Sequence, residues 1–226
     1  MFSREELLIG DKINIIKSKT VLVLGLGGVG GYVVESLVRA GIGKLIIVDN
    51  DIIDISNLNR QVISLQSNIG CKKVDAWDNR IKDINPLCEV VKIEEFITID
   101  NIDILFKEHI DYVVDACDTI STKKELIRKC LKNKIKFISS MGTGNKFNPS
   151  KLEIIDIRKT SYDPIAKIIR KMVKDEHIKD KITVICSTEK PVKVKESVGS
   201  ISYVPSVAGL LCTSYIINDI LGGNYE

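Results

Sequence analysis

The sequence predicts an α/β protein with a Rossmann-like, doubly wound, mostly parallel sheet and a C-terminal elaboration of further strands and helices. Three observations support this fold class. Short apolar runs alternate with helical stretches along the first two thirds of the chain. A glycine-rich turn, Gly25-Leu26-Gly27-Gly28-Val29-Gly30, separates the first apolar run from the helix that follows. The chain of 226 residues is 44% hydrophobic, which is enough for one sizeable core.

The predicted elements follow one another with short connections. The alternating pattern indicates an N-terminal amphipathic helix over 4–17, strands near 20–24, 44–48, 89–93, 111–114 and 135–139, and helices near 29–40, 70–84, 100–107 and 121–133. Because helices separate successive strands, the strands should be parallel and covered on both faces. Beyond Gly144 the pattern changes to strands at 151–157 and 182–186, a basic helix between them, and a terminal apolar helix. We expect a single domain over 1–226, with a nucleotide-binding core at 1–145 and a substrate-side part at 146–226.

The first strand, glycine turn, helix and second strand form the pattern of a nucleotide-binding βαβ unit. The second apolar run ends in Asp49, whose carboxylate can accept hydrogen bonds from ribose hydroxyls. The predicted nucleotide-binding residues of this unit are Gly25, Gly27, Gly28, Gly30 and Asp49. The glycines let a ligand approach the backbone closely.

Three further residues suit a nucleoside triphosphate better than a nicotinamide cofactor. Arg60, Lys73 and Asp118 lie on segments that can converge at the carboxyl ends of parallel strands. Two cations can meet phosphate oxygens, and a carboxylate can hold magnesium. We therefore predict Arg60, Lys73 and Asp118 as catalytic residues, Asp118 as the metal ligand, and ATP with Mg²⁺ as cofactors. Lys72 is an alternative to Lys73 as the phosphate-binding cation, and Asp115 is an alternative to Asp118 as the metal ligand.

The blocks GLGGVGG, DNDIIDISNLNRQ, GCKKVDAWDNRIKDINP and DACDT resemble the adenylating domain of ubiquitin-activating-type enzymes. The resemblance covers about residues 4–145 and implies ATP-dependent adenylation of a carboxylate. It implies contacts of Gly28 and Asp49 with the nucleotide, of Asn57, Arg60 and Lys73 with the phosphates, and of Asp118 with magnesium. It also implies a homodimer in which Arg4 reaches the partner's ATP site.

The second half of the chain narrows the resemblance. Many relatives that activate sulfur carriers hold a zinc ion with two Cys-x-x-Cys pairs, and none of the six cysteines here has that spacing. Segments 159–166 and 184–189, together with Gly199–Pro205, are instead similar to the tRNA threonylcarbamoyladenosine dehydratase branch. That branch cyclises a threonyl carboxylate on tRNA, so tRNA becomes the expected partner, with a possible sulfur-relay protein. The alternative is adenylation of the C-terminal glycine of a ubiquitin-like sulfur carrier.

Composition adds weaker constraints. The net charge is only +3, but segment 158–195 carries eleven Lys or Arg residues against five Asp or Glu residues. This segment suits either contact with tRNA phosphates or a solvated lysine-rich face. The polar start and scattered cysteines indicate a cytoplasmic protein, and no integral membrane span is expected.

Other functional classes remain as alternatives. A dehydrogenase would bind a nicotinamide cofactor, and an ATP-binding scaffold without turnover would have no need of Arg60, Lys73 and Asp118. Cys186 and Cys212 are the better-placed cysteines for a thioester, although buried cysteines are more often inert. A catalytic role for His109 or His177 is not expected.

Overall fold

A seven-stranded sheet forms the centre of the computed structural model, which describes residues 1–194 and 198–223. The strands are β1 Thr20–Leu24, β2 Lys44–Val48, β3 Glu89–Ile93, β4 Tyr112–Asp115, β5 Lys136–Ser140, β6 Leu152–Asp156 and β7 Thr183–Ser187. Their order is β3-β2-β1-β4-β5-β7-β6. All neighbouring strands are parallel except β6, which runs antiparallel to β7. This arrangement confirms the predicted α/β, mostly parallel sheet.

The direction of winding reverses between β1 and β4. The chain moves outward from β1 through β2 to β3, and then returns to pair β4 with the free side of β1. In such sheets the crevice beyond the carboxyl ends of the strands at the reversal is where ligands bind. The predicted site residues follow these strands in the sequence.

Seven α-helices accompany the sheet in the described part of the chain. They are α1 Ser3–Ile9, α2 Ile13–Lys17, α3 Gly30–Arg39, α4 Lys73–Ile84, α5 Ile120–Asn133, α6 Pro164–Asp175 and α7 Tyr203–Ile220. Buried residues of α3, α4 and α7 join one apolar cluster, whereas those of α5 and α6 join another. Buried residues of β1 alternate between the two clusters, as the period-two geometry of a strand requires.

Two predicted helices differ from the observed ones. The predicted N-terminal helix 4–17 is interrupted by a 3₁₀ turn at Gly10–Lys12, where Gly10 has φ 58°. The predicted helix near 100–107 is a 3₁₀ helix, Ile102–Phe106. In both places apolar periodicity identified a helical segment, but it could not distinguish one continuous α-helix from shorter turns.

The terminal helix α7 packs against α3. An added Cβ on Gly209 would lie 2.4 Å from the carbonyl oxygen of Val29, so the glycine permits a close approach of the two backbones. Among the described residues, no helix is both long and apolar enough to cross a membrane.

Candidate active site

A cleft of about 1000 Å³ opens at the carboxyl ends of the central strands. Every predicted site residue except Gly30 lines it: Gly25, Gly27, Gly28, Asp49, Asn57, Arg60, Lys73 and Asp118. These residues come from the turns after β1, β2 and β4 and from the start of α4. The fold therefore brings together the set that the sequence singled out.

Two positions of the glycine turn have no room for a side chain. Gly25 has φ 89°, and an added Cβ there would lie 2.8 Å from the Ala116 carbonyl oxygen, so the turn after β1 lies against the turn after β4. An added Cβ on Gly30 would lie 1.7 Å from the Gly25 carbonyl oxygen. Gly30 thus lies behind the turn and lets α3 begin close to β1, rather than lining the cleft.

Asp49 is fixed at the end of β2 by backbone donors. Its Oδ2 accepts a hydrogen bond of 2.7 Å from the Leu26 N–H, and its Oδ1 accepts one of 2.8 Å from the Asp51 N–H. Because Leu26 belongs to the glycine turn, the Asp49 carboxylate sets the spacing between that turn and the end of β2. Each carboxylate oxygen keeps acceptor capacity for a ligand hydroxyl.

Lys73 is a buried cation beside these carboxylates. Its side chain is 4% exposed, and Nζ lies 2.7 Å from Asp51 Oδ2 and 3.7 Å from Asp49 Oδ1. Lys72 instead pairs with Glu94 on the surface, where its side chain is 51% exposed. The structure therefore directs Lys73 into the cleft and Lys72 away from it.

Arg60 and Asn57 lie on the turn that follows β2. Arg60 Nη1 donates hydrogen bonds of 2.9 Å to the Ser56 carbonyl and to Asn59 Oδ1, but its guanidinium pairs with no carboxylate in the described part of the chain. Asn57 is buried, and its Oδ1 accepts a hydrogen bond of 3.1 Å from the Asp54 N–H. The remaining guanidinium donors leave Arg60 able to meet an anion.

Asp115 and Asp118, the two candidate metal ligands, lie in different surroundings. Asp115 is 1% exposed, and its Oδ2 accepts hydrogen bonds from Lys123 Nζ at 2.8 Å and Ser139 Oγ at 2.6 Å. Lys123 is itself fully buried and also donates to the Ser140 carbonyl at 3.0 Å. Asp118 is exposed in the cleft, and its carboxylate has no partner among the described residues. Asp118 is thus the carboxylate that is free to receive a ligand.

A second buried ion pair borders the cleft and has no counterpart in the sequence-based prediction. Lys146 Nζ lies 2.9 Å from Asp163 Oδ2, both side chains are 1% exposed, and Lys146 also donates to the Gly142 carbonyl. Asp163 Oδ1 caps α6 through the Ala166 N–H at 2.9 Å. The pair therefore connects the cleft-lining loop after β5 to the start of α6. Lys146 lies in a polar turn with no distinctive spacing, so no local sequence signal indicates its burial.

Three of the cysteines do not resemble activated thiols. Burial raises the pKa of Cys186 to about 11 and that of Cys212 to about 12. Burial and the neighbouring Asp115 carboxylate also raise the pKa of Cys117, which lines the cleft. A thiol with a raised pKa carries little thiolate near neutral pH, so none of these three residues suits nucleophilic catalysis.

Fold and cleft together define an α/β nucleotide-binding class with two cations and a free carboxylate around a glycine turn. The chain belongs to the ThiF family, whose model matches residues 4–224. This result confirms the predicted membership of the ubiquitin-activating-type superfamily.

Individual relatives are similar along almost their whole length. The tRNA threonylcarbamoyladenosine dehydratase of Bacillus subtilis is 43% identical, over 97% of this chain and 94% of that protein. The enzyme of the same name from Haemophilus influenzae is 31% identical, over 93% and 89%. The crystal structure of the Escherichia coli tRNA N6-threonylcarbamoyladenosine dehydratase in complex with ATP has a TM-score of 0.92 and 30% identity, covering 98% of this chain and 93% of that one.

Proposed function

We propose that this protein is an ATP-dependent tRNA threonylcarbamoyladenosine dehydratase. The observation that carries the proposal is the 43% identity to the Bacillus subtilis enzyme of that name over 97% of the chain. The cleft supports it, because a free carboxylate and two cations surround the glycine turn. We further propose that residues 1–226 act as one adenylating domain in the cytoplasm.

The reaction begins with activation of a carboxylate. A carboxylate is a poor electrophile because its leaving group would be oxide, so the threonyl carboxylate oxygen attacks the α-phosphorus of ATP. Pyrophosphate leaves, and the product is an acyl-adenylate with AMP as a good leaving group. The carbamoyl nitrogen of the same side chain then attacks the acyl carbon, AMP departs, and the nitrogen loses a proton. The net change in the nucleoside is the loss of one water, and proximity within one side chain favours ring closure.

Each cleft residue is assigned to the part of ATP that its chemistry can bind. Arg60 offers a planar fork for phosphate oxygens, and Lys73 offers a compact charge from a buried position. Gly25, Gly27 and Gly28 let the triphosphate approach the turn, and Asp49 receives the ribose hydroxyls. Asn57 completes the phosphate-binding set.

Magnesium fits the donor set at Asp118. Mg²⁺ is commonly held by one or two carboxylates together with substrate phosphates and water, and Asp118 is an unpartnered carboxylate in the cleft. When bound, the ion would neutralise charge on the departing pyrophosphate.

The decisive experiment uses purified protein, Mg²⁺, ATP and tRNA that bears threonylcarbamoyladenosine. The tRNA is digested to nucleosides, and mass spectrometry measures the loss of one water from that nucleoside while AMP and pyrophosphate are assayed. We expect ATP-dependent water loss that disappears in Arg60→Ala and Asp118→Ala. An unchanged nucleoside, in a protein that binds ATP, would contradict the proposal and favour a sulfur-carrier protein as the substrate.

A further inference from the structure

One side of the cleft is bordered by three chain segments that we call the C-terminal rim: residues 145–148, 159–167 and 188–194. Hydrogen bonds hold the first and third segments together. The Val192 N–H donates to the Asn145 carbonyl at 2.8 Å, and the Asn148 N–H donates to Glu189 Oε2 at 2.8 Å. The rim is therefore built as one surface from segments that are distant in sequence.

The buried Lys146–Asp163 pair adds the remaining segment to this surface. Lys146 belongs to the first segment and Asp163 to the second, and Lys146 also donates to Gly142 of the cleft-lining loop. Ile165, in the first turn of α6, lines the cleft itself. The C-terminal rim is consequently continuous with the candidate active site.

The rim carries unneutralised positive charge. Lys159, Lys167, Lys190 and Lys193 are exposed, and none of them forms an ion pair with another described residue. Elsewhere some exposed lysines are paired, as Lys72 is with Glu94 and Lys82 with Asp78. The Glu189 carboxylate is directed at the backbone N–H groups of Phe147 and Asn148. These four lysines are therefore available to an anionic partner.

Two aromatic rings stand exposed among these charges. Phe147 is 57% exposed and Tyr162 is 63% exposed. Tyr162 has φ 58°, in the left-handed region that is uncommon for residues other than glycine, directly before the buried Asp163. A partner with flat, stackable groups would cover both rings and so remove their apolar surface from water.

We propose that the C-terminal rim binds the single-stranded loop of the tRNA that carries the modified adenosine. This inference rests on the proposed function and extends it by locating the RNA surface. Single-stranded RNA is recognised by aromatic side chains that stack on splayed bases and by lysines that meet the backbone phosphates. The rim presents both groups beside the cleft in which the threonyl carboxylate is to react.

The experiment measures tRNA affinity over a series of KCl concentrations for the full-length protein. The charge variant is Lys190→Glu with Lys193→Glu. Its matched control is Lys107→Glu with Lys132→Glu, two exposed lysines outside the rim that also lack an ion pair with a described residue. Loss of two phosphate contacts should reduce the slope of log affinity against log salt by about 1.4, at about 0.7 per contact for a single strand. The control should keep the wild-type slope, and ATP affinity should be unchanged in both variants.

The aromatic part is tested with Phe147→Ala and Phe147→Tyr. Loss of one stacked base should weaken tRNA binding by about 5- to 150-fold in the alanine variant, with an unchanged salt slope. The tyrosine variant should bind like the wild type, because it keeps a stacking face.

Two results would overturn the rim as an RNA surface. One is equal salt slopes in the rim and control variants. The other is wild-type tRNA affinity in Phe147→Ala. Failure of the proposed function would appear separately, as an unchanged nucleoside in the wild-type protein at saturating ATP and tRNA.

Discussion

The proposed role of Lys73 in catalysis depends on its burial beside two carboxylates. A cation whose side chain is 4% exposed and lies next to Asp49 and Asp51 is less screened than a surface lysine. We expect Lys73→Met to lower the rate of AMP formation by about 100- to 1000-fold, as is typical when one charge-stabilising donor is removed from an active site. The rate is measured at saturating ATP and tRNA, and thermal unfolding checks that the variant is folded.

Lys72→Met is the matched control for this prediction. The Lys72–Glu94 pair is about half exposed on both sides, so solvent screening leaves it little effect on stability. Its AMP formation should stay close to the wild-type rate. Equal losses in the two variants would show that Lys73 has no special role.

At single positions, the sequence favoured Lys73 over Lys72 and Asp118 over Asp115, but it did not contain the contacts that separate them. The Lys72–Lys73 choice depends on which residue begins α4 facing Asp51, and neighbouring residues on a helix differ in direction by about 100°. The choice between Asp115 and Asp118 depends on Lys123, which neutralises Asp115 from eight residues further along the chain. Neither fact can be taken from local spacing.

The turn between β4 and α5 is held by the buried Asp115–Lys123 pair. Lys123 donates to Asp115, Ser139 and Ser140, so it connects the end of β4 to the end of β5. We expect Lys123→Met to lower the free energy of unfolding by about 3–5 kcal/mol, because Asp115 would remain as a buried, unpaired charge. Urea unfolding measures this loss, and Lys124→Met, at a neighbouring position without an ion pair to a described residue, should change it little.

The pH dependence of this loss of unfolding free energy follows from the titration of the Lys123 ammonium group. Burial alone would lower the pKa of Lys123, but the Asp115 carboxylate reverses the effect and raises the pKa above the ordinary value of 10.5. A group whose pKa is raised on folding contributes its stability below the unfolded pKa and loses it as the pH rises through the folded pKa. The difference between wild type and Lys123→Met should therefore not decline as the pH rises through neutrality, and it should decline only in strongly alkaline solution. A difference that declines already at neutral pH would contradict this assignment.

Elements with strong periodicity could be predicted almost to their ends, whereas weak helices could not. Strands β1, β2 and β3 lie where alternation of apolar runs indicated them. The N-terminal segment was predicted as one helix because its apolar residues recur at helical spacing, but Gly10 with φ 58° ends α1. Glycine adopts a positive φ without the steric cost that a side chain would add, so Gly10 permits a break inside the periodic pattern.

The arrangement of the second half depends on pairings that local patterns do not contain. The sequence indicated strands at 151–157 and 182–186, but β7 lies between β5 and β6 although β6 comes earlier in the chain. This order places α6 and the Lys146–Asp163 pair beside the cleft. Long-range packing decides this strand order. The charge of segment 158–195 could therefore suggest an RNA-binding surface, but the sequence could not show where that surface lies.

Assembly of two copies is the remaining prediction. Helix α1 has no buried residues, Leu7 and Leu8 are 81% and 85% exposed, and Arg4 lies one turn before Leu8 on the same side. An apolar helix face of this kind suits a second copy of the chain, and the family resemblance implies that Arg4 would then serve the partner's ATP site. We propose a homodimer and expect light scattering to give about twice the mass of 25.2 kDa.

A mixing experiment tests whether Arg4 acts across the interface. Arg4→Ala and Arg60→Ala are each expected to be inactive alone. After dissociation and random reassociation, about half of the dimers contain one copy of each variant, and each mixed dimer holds one complete site out of two, so about a quarter of wild-type activity should return. An Arg4 that serves its own site would give no recovery, because every site would then lack one arginine.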